Sequence, residues 1–282
     1  MLPRKLFDDS HHVFRETVKR FIAKEITPYY AQWEKDGIVS REVWLAAGEA
    51  GLLCTWAPEE YGGAGADFRY SAIVTEELGR AGYAGVAFHL HSDIVAPYIF
   101  HYGTDDQKKY WLPQLVSGEK IAAIGMSEPA AGSDLQGMKT RAERDGDEYV
   151  INGQKTFISN GQLNDMLILA CKTDTSKGAK GISQLIVPRE ASGFERGKNL
   201  EKVGYHAQDT SELFFSDCRV PISNLLGGEG RGFVQMVQQL PQERLVVAIR
   251  SAAIIEAALE WTIEYVNQRE AFGLSLIHIS EP

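Results

Sequence analysis

Apolar residues recur at helical spacing through the first 120 positions. In HHVFRETVKRFIAKEI, residues 11–26, Val13, Phe14, Val18, Phe21, Ile22 and Ile26 fall at helical spacing, which predicts an amphipathic helix. Pro28 ends or bends it. SREVWLAAGEAGLL predicts a second helix that starts behind Ser40, a good N-cap residue type. DFRYSAIVTEELGRAG and GVAFHLHSDIVAPYIFHYG continue the pattern, and each ends on glycine. The last helix of the series opens at Thr104, with Gln107 three residues on in the relation of a capping box. Asp105 and Asp106 in its first turn suit the helix dipole.

The pattern changes near residue 121. EYVINGQKTFIS reads as two β-type runs around Asn152-Gly153, a hairpin signal. MLILACKT, ISQLIVP and TSELFFSDCRVP predict three more short strands with turn residues between them, which favours an antiparallel barrel or sandwich over βαβ units. From Gly232 the helical period returns, with Phe233, Val237, Leu240, Val247, Ile254, Ala258 and Tyr265 assigned to one face. The expected fold is therefore α+β. A helical N-terminal domain spans 1–121, a middle antiparallel β-barrel or sandwich domain spans 122–228, and the start of a C-terminal helical bundle spans 229–273.

Composition narrows the function classes. Hydrophobic residues are 44% of the chain, enough for a buried core, and the net charge of −9 argues against a nucleic-acid binder. No run of about 18 apolar residues predicts a membrane span, and the N-terminus has no apolar signal region. Cys54, Cys171 and Cys218 are too widely spaced for a disulfide framework or a zinc site, and a cytoplasmic protein is expected. His89 and His91 resemble a metal pair, but residues two apart on a helix point in different directions, so no metal is expected.

Three stretches carry candidate chemistry. IGMSEPAAGSD, 124–134, is rich in small residues and hydroxyls, so a ligand can approach its backbone; alone it equally suits a domain-crossing loop. KTFISNG, 155–161, offers an aromatic–aliphatic pair that could stack on a planar ring beside Ser159, or it is simply a strand ending in an Asn-Gly turn. QQLPQERLVV, 238–247, places Pro241, an expected kink, beside Glu243 and Arg244. Counting 100° per residue puts Arg244 near the centre of the apolar face and Glu243 at its edge, which leaves Glu243 open between a surface acid and a working group.

Taken in order, MSEPAAGSDLQG, YVINGQKTFISNG, AQDTSELFFSDCRVP, GEGRGF and REAFG resemble the acyl-CoA dehydrogenase family from about Leu6 to Gly273. SDLQGMKT and LPQERL are most similar to its long-chain subgroup. The resemblance implies a bound FAD. It assigns the flavin to Ile124, Gly125, Met126, Ser127, Glu128, Pro129, Ala130, Ala131, Gly132 and Ser133, and to Phe157, Ile158 and Ser159. Arg269 would reach the flavin pyrophosphate across a subunit interface. Ser133, Pro241, Gln242, Glu243 and Arg244 would line the acyl-CoA pocket.

The implied reaction is α,β-dehydrogenation of an acyl-CoA thioester, with the β-hydride passing to flavin N5. Most of the family carry the base on a loop nearer the C-terminus, whereas the long-chain and isovaleryl subgroups carry it at the position of Glu243. The resemblance further implies an electron-transferring flavoprotein as acceptor and a homotetramer or dimer. The other readings are a flavin oxidase, a dehydrogenase of branched or carrier-bound acyl groups, or an inert fragment lacking the full FAD site. LSLIHISEP, 274–282, resembles nothing in the family. The expectation is a C-terminally truncated chain with a non-native tail, holding FAD poorly and inactive.

Overall fold

Asp8, Asp67 and Thr104 cap helices through their side chains, whereas Ser40 stands at its expected N-cap position without a side-chain hydrogen bond. Asp8 accepts the N–H groups of Ser10 and His11 at the head of α1 (Asp9–Phe21), which runs on into a π-helical turn, Ile22–Ile26. Residues 5–275 are described by the computed structural model; most of the expected non-native tail, 276–282, lies outside them. Gly37, at φ 72°, ends α2 (Tyr30–Asp36) in the left-handed conformation that glycine adopts without strain. Then come α3 (Arg41–Glu49) and α4 (Phe68–Arg80), the latter capped by Asp67. A π-helical stretch, Leu90–Val95, feeds α5 (Ala96–Tyr102). The capping box of α6 (Asp105–Val116) forms as expected, with Gln107 N–H on Thr104 Oγ1 at 3.2 Å and Thr104 N–H on Gln107 Oε1 at 3.0 Å.

Eight strands form one sheet: β1 (Ala122–Gly125), β2 (Arg141–Asp145), β3 (Glu148–Ser159), β4 (Met166–Lys172), β5 (Ile182–Pro188), β6 (Phe194–Asn199), β7 (Thr210–Pro221) and β8 (Leu225–Leu226). Its order is β6-β7-β3-β2-β4-β5-β8, with β1 added on β4. The end strands β6 and β8 do not meet, so the sheet is not closed into the expected barrel. Nor is it wholly antiparallel. β1 pairs parallel with β4, and β2 meets β4 in parallel at Arg141 and Lys172. The long connection from β1 to β4, which carries the β2–β3 hairpin, supplies the crossover that parallel pairing needs.

The hairpin expected at Asn152-Gly153 is instead an irregularity inside one continuous strand, β3. Gly153, at φ 149°, lies so close to Thr140 that a Cβ would come within 2.5 Å of its Oγ1. Asn152 bonds Asp217 on β7 in both directions, each at 3.0 Å, which holds the shifted register. The β2–β3 turn falls at Gly146, φ 61°.

Three core clusters connect these layers. One lies among the N-terminal helices around Trp44, Ile73 and Phe88. One lies within the sheet around Tyr149, Leu167 and Leu213. The third lies between helices and sheet, where Tyr98, Leu112 and Leu115 meet Met166, Ile168 and Ile186. β4 is apolar on both faces because Ile168 and Leu167 serve different cores. Buried His91 ties this junction: Nε2 lies 2.9 Å from the Leu115 carbonyl, and Nδ1 accepts the Ala122 N–H at 3.1 Å. Burial lowers its pKa to about 4, so it is a neutral strut at physiological pH. Among the described residues no acidic, histidine or cysteine cluster could hold a metal, and all three cysteines are buried and free.

α7 (Gly232–Gln268) is one helix that continues through Pro241. A short pair, β9 (Glu270–Ala271) and β10 (Leu274–Ser275), follows it. The face that packs is not the expected one. Val237, Val247 and Tyr265 are exposed, while Gln235, Met236, Gln239, Val246, Ala253 and Ala257 are buried. α7 carries apolar residues almost all round, so apolar count alone does not choose its packed side. Close approach to α4 chooses it: a Cβ on Gly79 would stand 3.0 Å from Ala253 Cβ and 3.2 Å from the Arg250 carbonyl oxygen. An Arg80–Glu256 ion pair flanks that contact.

Gly79→Leu should therefore overpack the α4–α7 contact and lower unfolding stability by about 1–3 kcal/mol. Urea denaturation checks this, and an unchanged midpoint would show that the close approach is unimportant.

Candidate functional site

The loop after β1 is held from beneath by a buried ion pair. Lys155, only 1% exposed, donates to Glu128 Oε1 at 2.8 Å and to the Met126 carbonyl at 3.0 Å. Glu128 also accepts the N–H groups of Lys139 at 2.6 Å and Thr140 at 3.0 Å. Burial works to raise its pKa, but the Lys155 charge and these donors outweigh it and hold the carboxyl below the ordinary range. Glu128 and Ala131 exchange backbone hydrogen bonds at 2.9 and 3.1 Å around Pro129 and Ala130, which makes a tight turn. Glu128 thus spends its carboxylate inside the protein, as a brace. Lys155, which the sequence did not single out as a site residue, is its essential partner. A lysine in a strand otherwise rich in apolar residues, facing an acid in a small-residue loop, is the signal that could have found it.

That brace aligns the two predicted stretches. Thr156 N–H donates to the Ser127 carbonyl at 3.0 Å, so the loop runs beside the end of β3. β3 bulges between Lys155 and Ile158, and Phe157 adopts φ 59° there. A non-glycine residue in that region is strained, and the bulge turns its ring outward, 70% exposed, while Ile158 stays buried. Half-exposed Met126, Ser127 and Ser159 flank it. Ile124 and Gly125 end β1, Pro129 and Ala130 are exposed at the turn, Ala131 is buried, and Gly132 and Ser133 are exposed beyond it. An outward aromatic face with hydroxyl residues beside it fits a planar heteroaromatic group such as the flavin ring.

The second half of the site is α7. Glu243 points inward and half-buried, and its Oε1 accepts the Tyr98 hydroxyl at 2.8 Å. Burial raises its pKa despite that hydrogen bond and the nearby Arg244 charge. Arg244 itself is exposed, which corrects its expected place at the centre of the apolar face. The helix rolls so that Glu243, one residue earlier, takes the inner side. Another arginine of this helix, half-buried Arg250, brings its guanidinium to His89 Nε2 at 3.1 Å. Pro241 is exposed, and Gln242 Nε2 donates to the Asp93 carbonyl at 2.8 Å. Gln239 and Gln238 both bond the Tyr102 hydroxyl, at 3.1 and 3.0 Å. Gln235, Gln238, Gln239 and Gln242 thus follow i, i+3, i+4, i+7 spacing, a polar stripe that marks the inner face of α7.

The two halves share one core, because Ile124, Met126 and Leu135 pack on the cluster that contains Tyr98 and Met236. Arg269 stands apart from it, exposed at the C-terminal end of α7, with its N–H on the Tyr265 carbonyl.

Comparison with known families matches residues 8–119 to the acyl-CoA dehydrogenase N-terminal domain, 123–218 to its middle domain and 230–279 to its C-terminal domain. A long-chain specific acyl-CoA dehydrogenase, mitochondrial, of Sus scrofa is 47% identical over 278 residues, which cover 98% of this chain and 65% of that protein. A 2-methylacyl-CoA dehydrogenase, mitochondrial, of Solanum tuberosum is 40% identical over 271 residues, covering 95% and 66%. The crystal structure of an acyl-CoA dehydrogenase from Geobacillus kaustophilus superposes with a TM-score of 0.95 at 51% identity, covering 97% of this chain and 73% of that one. The chain therefore spans about 65% of the length of the first of these relatives.

Lys155→Met should strand the Glu128 charge in the interior and cost about 3–5 kcal/mol. Glu128 is held below its unfolded pKa, so the stability it gives is full above that value and is lost as pH falls through the folded one. Urea midpoints measured across the acid range should fall in the wild type and fall less in the variant. Parallel acid profiles would contradict the bracing role.

Proposed function

The chain belongs to the acyl-CoA dehydrogenase family, and on that premise we propose that the protein oxidises an acyl-CoA thioester to the trans-2-enoyl-CoA with Glu243 as its base. The observation that carries this reading is the carboxylate of Glu243: inward-facing, half-buried, and raised in pKa by burial. A base that must take a weakly acidic α-proton gains from that desolvation, because it becomes more basic. It also sits on a rigid helix whose rotation is fixed by packing, as a base sensitive to small misplacement requires.

Bound FAD would supply the acceptor for the β-hydride, at N5. Phe157 would give the ring its apolar wall, while Ser127 and Ser159 would offer hydroxyls to its edge. Ser133, exposed beyond the turn, would face the acyl-CoA. Gln242 is tethered to the Asp93 carbonyl and would frame the pocket beside the base. Exposed Arg244 would meet the solvent side of the substrate rather than its acyl chain. Arg269 would serve the flavin pyrophosphate of a neighbouring subunit in a homotetramer, and an electron-transferring flavoprotein would take the electrons. Higher identity to the long-chain relative than to the 2-methylacyl one favours a straight, long acyl chain. No described helix is long and apolar enough to cross a membrane, and three free buried cysteines suit a reducing compartment such as the cytoplasm.

Glu243→Gln in the full-length protein should slow α-proton exchange on an acyl-CoA by at least about 100-fold while leaving FAD bound. The raised carboxyl also sets a sign. Activity should fall as pH drops through a value above the ordinary carboxylate range, because protonated Glu243 cannot accept the proton. Undiminished exchange in the variant, followed by proton NMR in deuterated buffer, would falsify the assignment.

A further inference from the structure

We infer that Tyr98 is a positioning residue for Glu243 and that Gln184 backs it from the sheet, an inference that rests on Glu243 being the base. Tyr98 lies in α5 with no exposed surface, yet its hydroxyl donates to Glu243 Oε1 at 2.8 Å. Gln184 lies on β5, also with no exposed surface. Strand alternation gives it the same side as Ile182 and Ile186, whose side chains belong to the core that holds Tyr98. Neither amide atom of Gln184 makes a hydrogen bond among the described residues, and the side chain lies on the side of the sheet that packs on the core holding Tyr98.

An amide left without partners at that depth is costly, so its presence in an apolar strand needs a cause. The cause offered here is a relay. In it Gln184 Nε2 would turn to donate to the Tyr98 oxygen, while the Tyr98 hydroxyl donates to Glu243. A hydroxyl that accepts one hydrogen bond donates a stronger one. Three elements, β5, α5 and α7, thereby converge on one carboxylate oxygen. The relay opposes the desolvation of Glu243: it keeps the carboxylate ionised and fixes which oxygen stays free for the substrate. The other groups nearby act differently. Arg244 contributes charge from the exposed side of the same helix. Tyr102 has its hydroxyl engaged by Gln238 and Gln239, and Asp93 presents its backbone carbonyl to Gln242.

The test is Tyr98→Phe in the full-length holoenzyme, which removes one oxygen and keeps the ring. The pH dependence of kcat/KM and the rate of α-proton exchange are measured beside Glu243→Gln. Losing the donor should move the acid limb of kcat/KM up by roughly one pH unit and lower the plateau exchange rate roughly tenfold, with KM little changed. Gln184→Leu should move the limb in the same direction by less, and it carries the test alone if the tyrosine variant does not fold. A purely structural role predicts lower thermal stability with the acid limb in place. An unmoved limb in both variants, while Glu243→Gln is silent, overturns the positioning role and leaves the base assignment standing. Retained exchange in Glu243→Gln overturns both.

Discussion

The rotation of α7 about its own axis is the constraint on which the site depends. Gly79 has no side chain, and Ala253 and Ala257 are small, so α4 and α7 approach closely along one line. Once that line is fixed, every other residue of α7 has its direction. Gln239 and Gln242 turn toward α5 and the π-helical stretch before it, Gln235 toward β8, and Glu243 toward Tyr98. A roll of one residue, about 100°, would put Arg244 where Glu243 now stands. The direction of Glu243 is thus set by a contact made about ten residues away along the helix, between Gly79 and Ala253.

The half of the site built from the loop after β1 and the bulge of β3 rests on a different kind of interaction. Lys155 and Glu128 are buried together, and burying two charges is unfavourable unless their hydrogen bonds are completed. Here they are, by the Met126 carbonyl and by the N–H groups of Lys139 and Thr140. The pair contributes shape more than net stability. It fixes a loop of small residues that could otherwise adopt many conformations, and it holds that loop against the bulge that turns Phe157 outward. Apolar packing and a buried ion pair therefore divide the work. The first orients Glu243, the proposed base, and the second orients the surface proposed to take the flavin.

Much of the secondary structure was legible because it follows local rules. Thr104 and Gln107 made the capping box that their spacing announced, and the run Met166–Lys172 became a strand buried on both faces. The errors share a cause. Asn152-Gly153 carries a turn signal, but pairing of Asn152 with Asp217 and the approach of Thr140 keep the strand continuous through an irregularity. The apolar face of α7 was misassigned because hydrophobic residues surround the helix. The glutamine stripe is more informative than the valines, but being polar it does not register as an inner face in a hydrophobic pattern.

The sequence by itself determined the order of helices and strands, the capping box at Thr104, and the motifs that place this chain in its family, because these depend on neighbours within a few residues. Only the tertiary structure decided that Glu243 rather than Arg244 faces inward, that Lys155 braces Glu128, and that the Tyr98 hydroxyl reaches Glu243. Those residues come from segments far apart in the chain, and their meeting is set by packing between layers, which no local pattern encodes.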